Sequence, residues 1–209
     1  MSLVYQHTIN KTSKTGLWHI EENEDFFLKR VPVPGQVSHP HKRLQHLAGR
    51  YLLPILFDDF PLNEILIADT RKPYLPDEQY HFSISHCGQY AAAIASSTHR
   101  VGIDIEIPTL KVLRIAHKFL NQRETELINQ TGSTEELLQM TTLFWSCKEA
   151  LFKWNSAAGV DFSDHLRIHA VEGSLNKGVL HCSIQQPVYT ELITHYSFIN
   201  GLMMSRVLS

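Results

Sequence analysis

The chain has 209 residues, of which 43% are hydrophobic and 19% are charged, a balance typical of a soluble globular protein. Its formal net charge of −2 gives no basis for a nucleic-acid partner. No apolar run approaches the roughly 20 residues that a membrane span requires. The three cysteines form no CxxC pair and the N-terminal segment lacks the apolar run of a signal peptide, so we expect a cytoplasmic protein.

The first half of the chain is predicted to contain one long helix and several strands. Residues 3–10 are typical of an opening strand. Apolar residues in 39–57 recur at steps of three and four, which predicts a helix with Ser38 as its N-cap and Pro40 in its first turn. Pro54 is expected to end or kink this helix. Residues 62–70 have mixed strand and helix character, and short connections favour antiparallel pairing of three further strands, 80–85, 89–97 and 101–107.

The second half begins with predicted helices and continues with predicted strands. Residues 111–120 favour a helix, and Asn121 and Glu124 have the spacing of a capping box at the start of the next one. Residues 134–156 give the longest helical pattern of the chain. Strands are expected to follow at four places, near residues 161–171, 178–184, 189–199 and 202–208.

Each half therefore reads as a helix with antiparallel strands, which predicts an α+β fold. We expect two similar lobes related by a pseudo-two-fold axis, each a helix packed on an antiparallel sheet. The predicted N-terminal lobe is residues 1–102 and the predicted C-terminal lobe is residues 103–209.

Two acidic residues stand on one face of the strand that reads VGIDIEIP from Val101 to Pro108. Strand side chains alternate between faces, so Asp104 and Glu106 lie on the same side as Gly102. Carboxylates at this spacing can converge on a hard cation such as Mg²⁺. The alternative is the solvated outer face of an edge strand.

The segment FWSCKEALFKW, residues 144–154, carries further chemical groups. Trp145, Glu149 and Lys153 share a helical stripe at four-residue spacing, and Lys148 lies beside it. The alternative is that Glu149 and Lys153 form an ordinary surface ion pair.

Hydroxyl, imidazole and cationic groups in the first half could bind phosphate. Ser85 and His86 lie at a strand end before Gly88, where a turn histidine is the simpler alternative. The cations are Lys42, Arg43, Arg50 and Lys72, and a solvated helix face is the alternative for the first three. A zinc site at His39, His41 and His46 is a further alternative.

The order of these motifs resembles the 4'-phosphopantetheinyl transferase superfamily, specifically its larger two-lobed type typified by the surfactin-synthetase activator. The motifs are KP at residues 72–73, FSxSH at 82–86, GIDIE at 102–106 and WxxKEAxxK at 145–153. The resemblance is clear over residues 72–153, weaker over the helix at 39–57, and absent beyond about residue 160. Ser83 and Cys87 depart from the family pattern around the SH pair.

The resemblance implies transfer of the phosphopantetheine arm of coenzyme A to a serine of an apo acyl or peptidyl carrier protein, with release of 3',5'-ADP. Asp104, Glu106 and Glu149 would hold Mg²⁺ at the pyrophosphate, and Gly102 would leave room beside that site. Lys153 would stabilise charge on the pyrophosphate. Glu149 would act as general base, a role that Glu124 could share. Implied coenzyme A contacts are Lys72, Ser85, His86 and Lys148, with Arg43 and Arg50 for the 3'-phosphate.

Two other functions fit the same residues. A Mg²⁺-dependent nucleotide phosphohydrolase could use the three acids without a carrier protein. A non-catalytic coenzyme A-binding module would not need Glu149 or Lys153. For the transferase, one chain would carry both lobes, so we expect a monomer without nucleic-acid or membrane partners.

Overall fold

The computed structural model describes residues 2–32, 37, 39–70 and 72–209. The chain divides into two compact units, residues 1–101 and residues 102–209. Each combines helices with antiparallel strands, which confirms the predicted α+β class. Within the described ranges, no helix is long and apolar enough to cross a membrane.

The first unit is built on a four-stranded antiparallel sheet in the order β1, β2, β6, β5. These strands are β1 (Leu3–Asn10), β2 (Ser13–His19), β5 (His81–Cys87) and β6 (Tyr90–Ser96). A small separate pair is formed by β3 (Leu66–Ile67) and β4 (Pro73–Tyr74). The unit also contains two α-helices, α1 (Glu24–Leu28) and α2 (Pro40–Leu56), and a 3-10 turn at Leu62–Glu64.

Helix α2 packs across this sheet, mainly on β6 and β2, through a fully buried apolar face. That face includes Leu47, Leu52 and Leu53, in line with the predicted periodicity. Pro54 does not end the helix where it stands, because the last helical residue is Leu56. The structure places the N-cap at His39, whereas the predicted cap, Ser38, lies outside the described residues.

The second unit contains a five-stranded sheet in the order β7, β11, β10, β9, β8. Its strands are β7 (Val101–Glu106), β8 (Leu166–Ser174), β9 (Lys177–Ile184), β10 (Thr190–Ile199) and β11 (Leu202–Leu208). Its helices are α3 (Leu110–Ile115), α4 (Gln122–Ile128) and α5 (Thr134–Asn155), with a 3-10 turn at Ala116–Lys118.

Helix α5 is the long helix predicted for residues 134–156, and it packs on β11 and on the neighbouring strands β8, β9 and β10. Its buried apolar side chains, among them Leu143, Phe144 and Leu151, form the core of the unit. The predicted helix at 111–120 is instead divided into the short α3 and the 3-10 turn. The strand predicted near 161 begins only at Leu166.

Candidate functional site

The close contact between β7 and α5 explains the glycine of the VGIDIE strand. A Cβ atom on Gly102 would collide with the backbone oxygen of Ala150 and would lie 3.0 Å from the backbone nitrogen of Trp154. The missing side chain therefore admits the backbone of α5, not a ligand, which corrects the prediction that Gly102 leaves room beside a metal site. Asp104 and Glu106 on the strand are thereby set against the helix that carries Glu149 and Lys153.

The three predicted metal-binding carboxylates interact electrostatically. Burial raises the pKa of Glu149 to about 7, the charges of Asp104 and Glu106 also raise it, and Lys153 acts in the opposite direction. Asp104 is almost fully buried, at 3% exposure, so the acidic face of β7 is not a solvated outer face. Burial and the two neighbouring carboxylates therefore both disfavour the ionised form of Glu149.

Lys153 supplies the positive charge of the cluster. Its Nζ donates to Asp104 Oδ1 at 2.8 Å and to the backbone oxygen of Ile103 at 3.1 Å. Glu149 and Lys153 are therefore not simply an isolated surface pair, because the lysine reaches back to the strand. The ammonium group lies where it can compete with, or be displaced by, another cation at Asp104.

Glu106 is held by a neutral donor. The indole Nε1 of Trp145 donates to Glu106 Oε1 at 3.0 Å. The sequence placed Trp145 on the same stripe as Glu149, but its contact with β7 was not predicted, because Trp145 and Glu106 lie 39 positions apart. A polar indole donor on the stripe that carries the acids is the signal that could have indicated it.

Lys148 and Glu124 form a buried ion pair with Nζ and Oε2 2.7 Å apart, and both side chains are fully inaccessible to solvent. Lys148 Nζ also donates to the backbone oxygens of Phe119 and Phe162. Burial lowers the pKa of Lys148, and the charge of Glu124 opposes this. The predicted contact of Lys148 with coenzyme A does not agree with this geometry, since all three donors of the ammonium group are used inside the fold.

The carboxylate of Glu124 likewise accepts hydrogen bonds inside the fold. Asn121 and Glu124 form the capping box that their spacing predicts at the start of α4. Glu124 Oε2 also meets Lys148, and its Oε1 accepts from the backbone nitrogen of Ile168 at 2.8 Å. A carboxylate with no exposed surface and this many donors cannot take a proton from a substrate, so the suggestion that Glu124 shares the general-base role is corrected.

The donor set of Asp104, Glu106 and Glu149 fits Mg²⁺ in its chemistry. All three proposed ligands are hard carboxylate oxygens, and a cation beside them would favour the ionised form of Glu149, which burial and the charges of Asp104 and Glu106 disfavour. Among the described residues, no group of three or more histidine, cysteine, aspartate or glutamate side chains is arranged so that it could hold a metal ion as it stands. The three histidines of the alternative zinc site, His39, His41 and His46, are likewise not arranged as a metal site.

The first unit holds imidazole and guanidinium groups where α2 meets β5. Gly49 on α2 lies against the side chain of Ile84 on β5. Beside this contact the rings of His46 and His86 lie 5.1 Å apart in an edge-on arrangement. Burial lowers the pKa of His46, and the charge of Arg50 lowers it further. His46, which the sequence suggested only for zinc, thus lies next to a predicted phosphate contact.

The other predicted coenzyme contacts in the first unit differ in burial and in the partners that they already have. Arg50 is 9% exposed, and burial lowers its pKa. Ser85 is buried on β5. Burial, assisted by the charge of Arg100, lowers the pKa of Lys72 to about 8. Arg43 instead makes a two-pronged ion pair with Glu24, at 2.6 and 2.8 Å, so its guanidinium already has an anionic partner.

Residues 100–194 match the family model of the 4'-phosphopantetheinyl transferase superfamily. This range includes Asp104, Glu106, Glu149 and Lys153, the residues that β7 and α5 bring together. The resemblance to this superfamily that the motifs indicated is therefore confirmed, and this region of the chain carries it.

Curated relatives point to the same class. Enterobactin synthase component D of Escherichia coli K12 is 32% identical over 128 residues, which are 59% of this chain and 60% of that protein. The 4'-phosphopantetheinyl transferase AcpT of Escherichia coli O157:H7 is 29% identical over 133 residues, covering 60% and 67%. The 4'-phosphopantetheinyl transferase gsp of Aneurinibacillus migulanus is 30% identical over 109 residues, covering 51% and 44%. The chain thus spans about three fifths of the first of these relatives.

Proposed function

We propose that this protein transfers the 4'-phosphopantetheine arm of coenzyme A to a serine of an apo acyl or peptidyl carrier protein, in a Mg²⁺-dependent reaction that releases 3',5'-ADP. The observation that carries the proposal is the group of Asp104, Glu106, Glu149 and Lys153 at the contact of β7 and α5, inside the range that matches the superfamily. The names of the relatives support the same reaction.

Asp104, Glu106 and Glu149 are the residues that would hold Mg²⁺. When bound, the metal would supply electrostatic stabilisation of the pyrophosphate charge. Glu149 is the proposed acceptor of the proton of the carrier serine.

Lys153 stabilises the leaving group. The serine oxygen forms a bond to the β-phosphorus while the bond from that phosphorus to the bridging oxygen of 3',5'-ADP breaks, and negative charge develops on the departing phosphate. An ammonium group placed at this charge lowers the barrier. Lys153 must then exchange at least part of its contact with Asp104 for a contact with the phosphate.

The residues of the first unit are proposed coenzyme contacts. Lys72, Ser85 and His86 offer ammonium, hydroxyl and imidazole donors for the phosphates, and Arg50 is the better candidate for the 3'-phosphate because Arg43 is paired with Glu24. The two-lobed subtype, with lobes 1–102 and 103–209, and action as a cytoplasmic monomer belong to the same proposal. The two compact units support the subtype.

The test is an intact-mass measurement on a panel of apo carrier proteins from fatty-acid, polyketide and peptide synthesis. We expect one carrier or more to gain the mass of the phosphopantetheine arm only when coenzyme A and Mg²⁺ are both present. Asp104→Asn should reduce the rate by about two orders of magnitude or more, whereas Asp164→Asn, which alters an exposed carboxylate of the same unit, should not.

The outcome also separates the other functions. Release of 3',5'-ADP at the same rate without a carrier would indicate a phosphohydrolase. Coenzyme A binding without any mass change across the panel would indicate a binding module. Either result would contradict the proposed transfer.

A further inference from the structure

The buried ammonium group of Lys148 fixes two aromatic residues that come from distant parts of the second unit. Its Nζ donates to the backbone oxygen of Phe119 at 2.6 Å and to that of Phe162 at 2.8 Å, and the buried carboxylate of Glu124 balances its charge. Bonds to an ionised, solvent-inaccessible donor are strong and costly to break. The backbone positions of Phe119 and Phe162 are therefore tightly defined.

The rings of these two residues enclose Trp145. The ring centroid of Phe119 lies 4.9 Å from that of Trp145, and Phe162 stacks on Trp145 at 5.5 Å with an interplanar angle of 25°. Aromatic packing at these separations restricts the side-chain rotamers of the indole. Phe119, Phe162 and Trp145 are called the aromatic wall below.

We propose that Trp145 is a positioning residue for Glu106, and that Lys148 keeps it in place by pinning the aromatic wall. A glutamate has three rotatable side-chain bonds and loses conformational entropy when it is held in one orientation. The 3.0 Å bond from Trp145 Nε1 holds Glu106 before a cation arrives. An indole suits this role because it carries no charge and does not compete with the cation.

The inference rests on the proposed function, since it concerns the carboxylate that would bind the divalent cation. Groups that hydrogen-bond a ligating carboxylate orient it, and losing one typically costs about 10-fold to 100-fold in metal affinity. The proposed positioning role also gives Lys148, the first lysine of the WxxKEAxxK motif, a function that does not require contact with the coenzyme.

The first experiment measures Mn²⁺ affinity by electron paramagnetic resonance of the free ion in wild-type protein, Trp145→Phe and Trp18→Phe. Phenylalanine retains an aromatic ring in the wall but has no N–H group. Trp18 provides the matched control, because its Nε1 also donates to a glutamate, Glu22, at 3.0 Å. We expect Trp145→Phe to weaken Mn²⁺ binding about tenfold or more and Trp18→Phe to leave it within about twofold of the wild type, since Glu22 is not one of the proposed ligands.

The second experiment detects the contact itself without a metal. The indole N–H resonance of Trp145, assigned by its absence in Trp145→Phe, should shift in the Glu106→Gln variant, because a carboxylate acceptor becomes an amide. The resonance of Trp18 should not move. An unmoved Trp145 resonance would overturn the inference. If Trp145→Phe does not fold, the resonance is assigned by elimination, because Trp18→Phe and Trp154→Phe identify the other two indoles of the chain.

The two proposals fail in different ways. If wild-type protein binds Mn²⁺ and folded Trp145→Phe binds it equally well, the positioning role is wrong and the proposed function stands. A Trp145→Phe variant that only melts earlier, with unchanged affinity in its folded form, leads to the same conclusion. If wild-type protein binds no divalent cation with or without coenzyme A, the proposed function itself fails, and the positioning role falls with it.

Discussion

The two units share a connection pattern, but they bring different chemical groups together. In each unit the last strand before the long helix lies beside the final strand of the unit, so β2 neighbours β6 and β7 neighbours β11. In each, a glycine lies where the helix meets a strand. Beside the contact of the first unit are His46, His86 and Arg50, whereas the contact of the second unit gathers carboxylates.

The position of the glycine explains how each contact is made. Gly49 belongs to the helix and accommodates the β-branched side chain of Ile84, so the first contact is apolar and is made with a side chain. Gly102 belongs to the strand and admits the backbone of α5, so the second contact is made through rigid groups. We therefore expect a side chain added at Gly102 to disturb the second unit more than a side chain added at Gly49 disturbs the first.

The largest expected effect is the loss of stability when the buried ion pair of the second unit is broken, compared with the partly exposed pair of the first unit. Lys148→Met should destabilise the protein by about 3–5 kcal/mol, because it leaves the Glu124 carboxylate buried without its counter-ion. Arg43→Met removes a pair whose side chains are about 30% exposed and should have little effect. Urea unfolding followed by circular dichroism measures both.

A double variant sharpens this prediction. Adding Glu124→Gln to Lys148→Met removes the unpaired charge and should recover part of the lost stability, since glutamine retains an oxygen for one backbone donor. If Lys148→Met lowers the free energy of unfolding no more than Arg43→Met does, breaking the buried pair costs no more than breaking the exposed one, and the prediction is wrong.

The glycine contacts give the next largest effect. Gly102→Ala should cost about 1–3 kcal/mol or more, because the new methyl group meets the backbone of α5, which can yield only if the helix moves. Gly49→Ala should cost less, since the new methyl group meets a side chain and not a helix backbone, and alanine gains about 1 kcal/mol of helix propensity. Thermal unfolding of the two variants ranks the costs.

The Gly102→Ala variant should also lose most transfer activity, as α5 carries Glu149 and Lys153 away from Asp104. The Gly49→Ala variant should lose less. An equal or larger loss of stability in Gly49→Ala would show that the rigid contact is not what distinguishes the second unit.

Glu149→Gln should stabilise the metal-free protein while it abolishes activity. The folded-state pKa of Glu149, about 7, lies above its ordinary value of 4.5. The folded state therefore holds more protons between these values, and the free energy of unfolding of the wild type falls as pH rises through that window. At pH 8 the variant should be more stable by about 1–3 kcal/mol.

Thermal unfolding at pH 4, 6 and 8 measures this difference, which should be small at pH 4 and largest at pH 8. Glu126→Gln, an exposed acid of the same unit, should show no such trend. Addition of Mg²⁺ should stabilise the wild type more than Glu149→Gln. A constant difference at all three pH values would show that burial and the charges of Asp104 and Glu106 do not raise the pKa of Glu149.

The sequence predicted the parts of the fold that local patterns determine. Helix α5, strand β7 and the Asn121 capping box follow from residues that are close in the chain. Strand β2, with Lys14 and Gly16 among its seven residues, and the five-residue helix α1 have weak patterns and were not predicted.

The sequence could not show which way Lys148 points. A lysine between Cys147 and Glu149 reads as a surface residue, and its burial depends on partners 14 to 29 positions away. The role of Gly102 was also misjudged, because a strand pattern shows that a side chain is missing but not what fills the space. Tertiary contacts determine both, and they have no local signature in the sequence.

The smallest expected effect concerns Lys72 and the pH dependence of coenzyme A binding. Burial and Arg100 lower its pKa to about 8, so the free protein loses this positive charge above that pH. Bound phosphate favours the ammonium form. Affinity should therefore fall as pH rises above 8, by up to about tenfold per pH unit where Lys72 dominates. Titration calorimetry at pH 7, 8 and 9 measures the trend.

Lys72→Arg provides the control, because a guanidinium remains charged throughout this range. Its coenzyme A affinity should change less between pH 7 and pH 9 than that of the wild type, even if its absolute affinity differs. Proton uptake on binding at pH 8, obtained by repeating the calorimetry in buffers of different ionisation enthalpy, should be present in the wild type and reduced in the variant. Identical pH profiles would remove Lys72 from the phosphate contacts and leave the first unit with Ser85, His86 and Arg50 as its candidates.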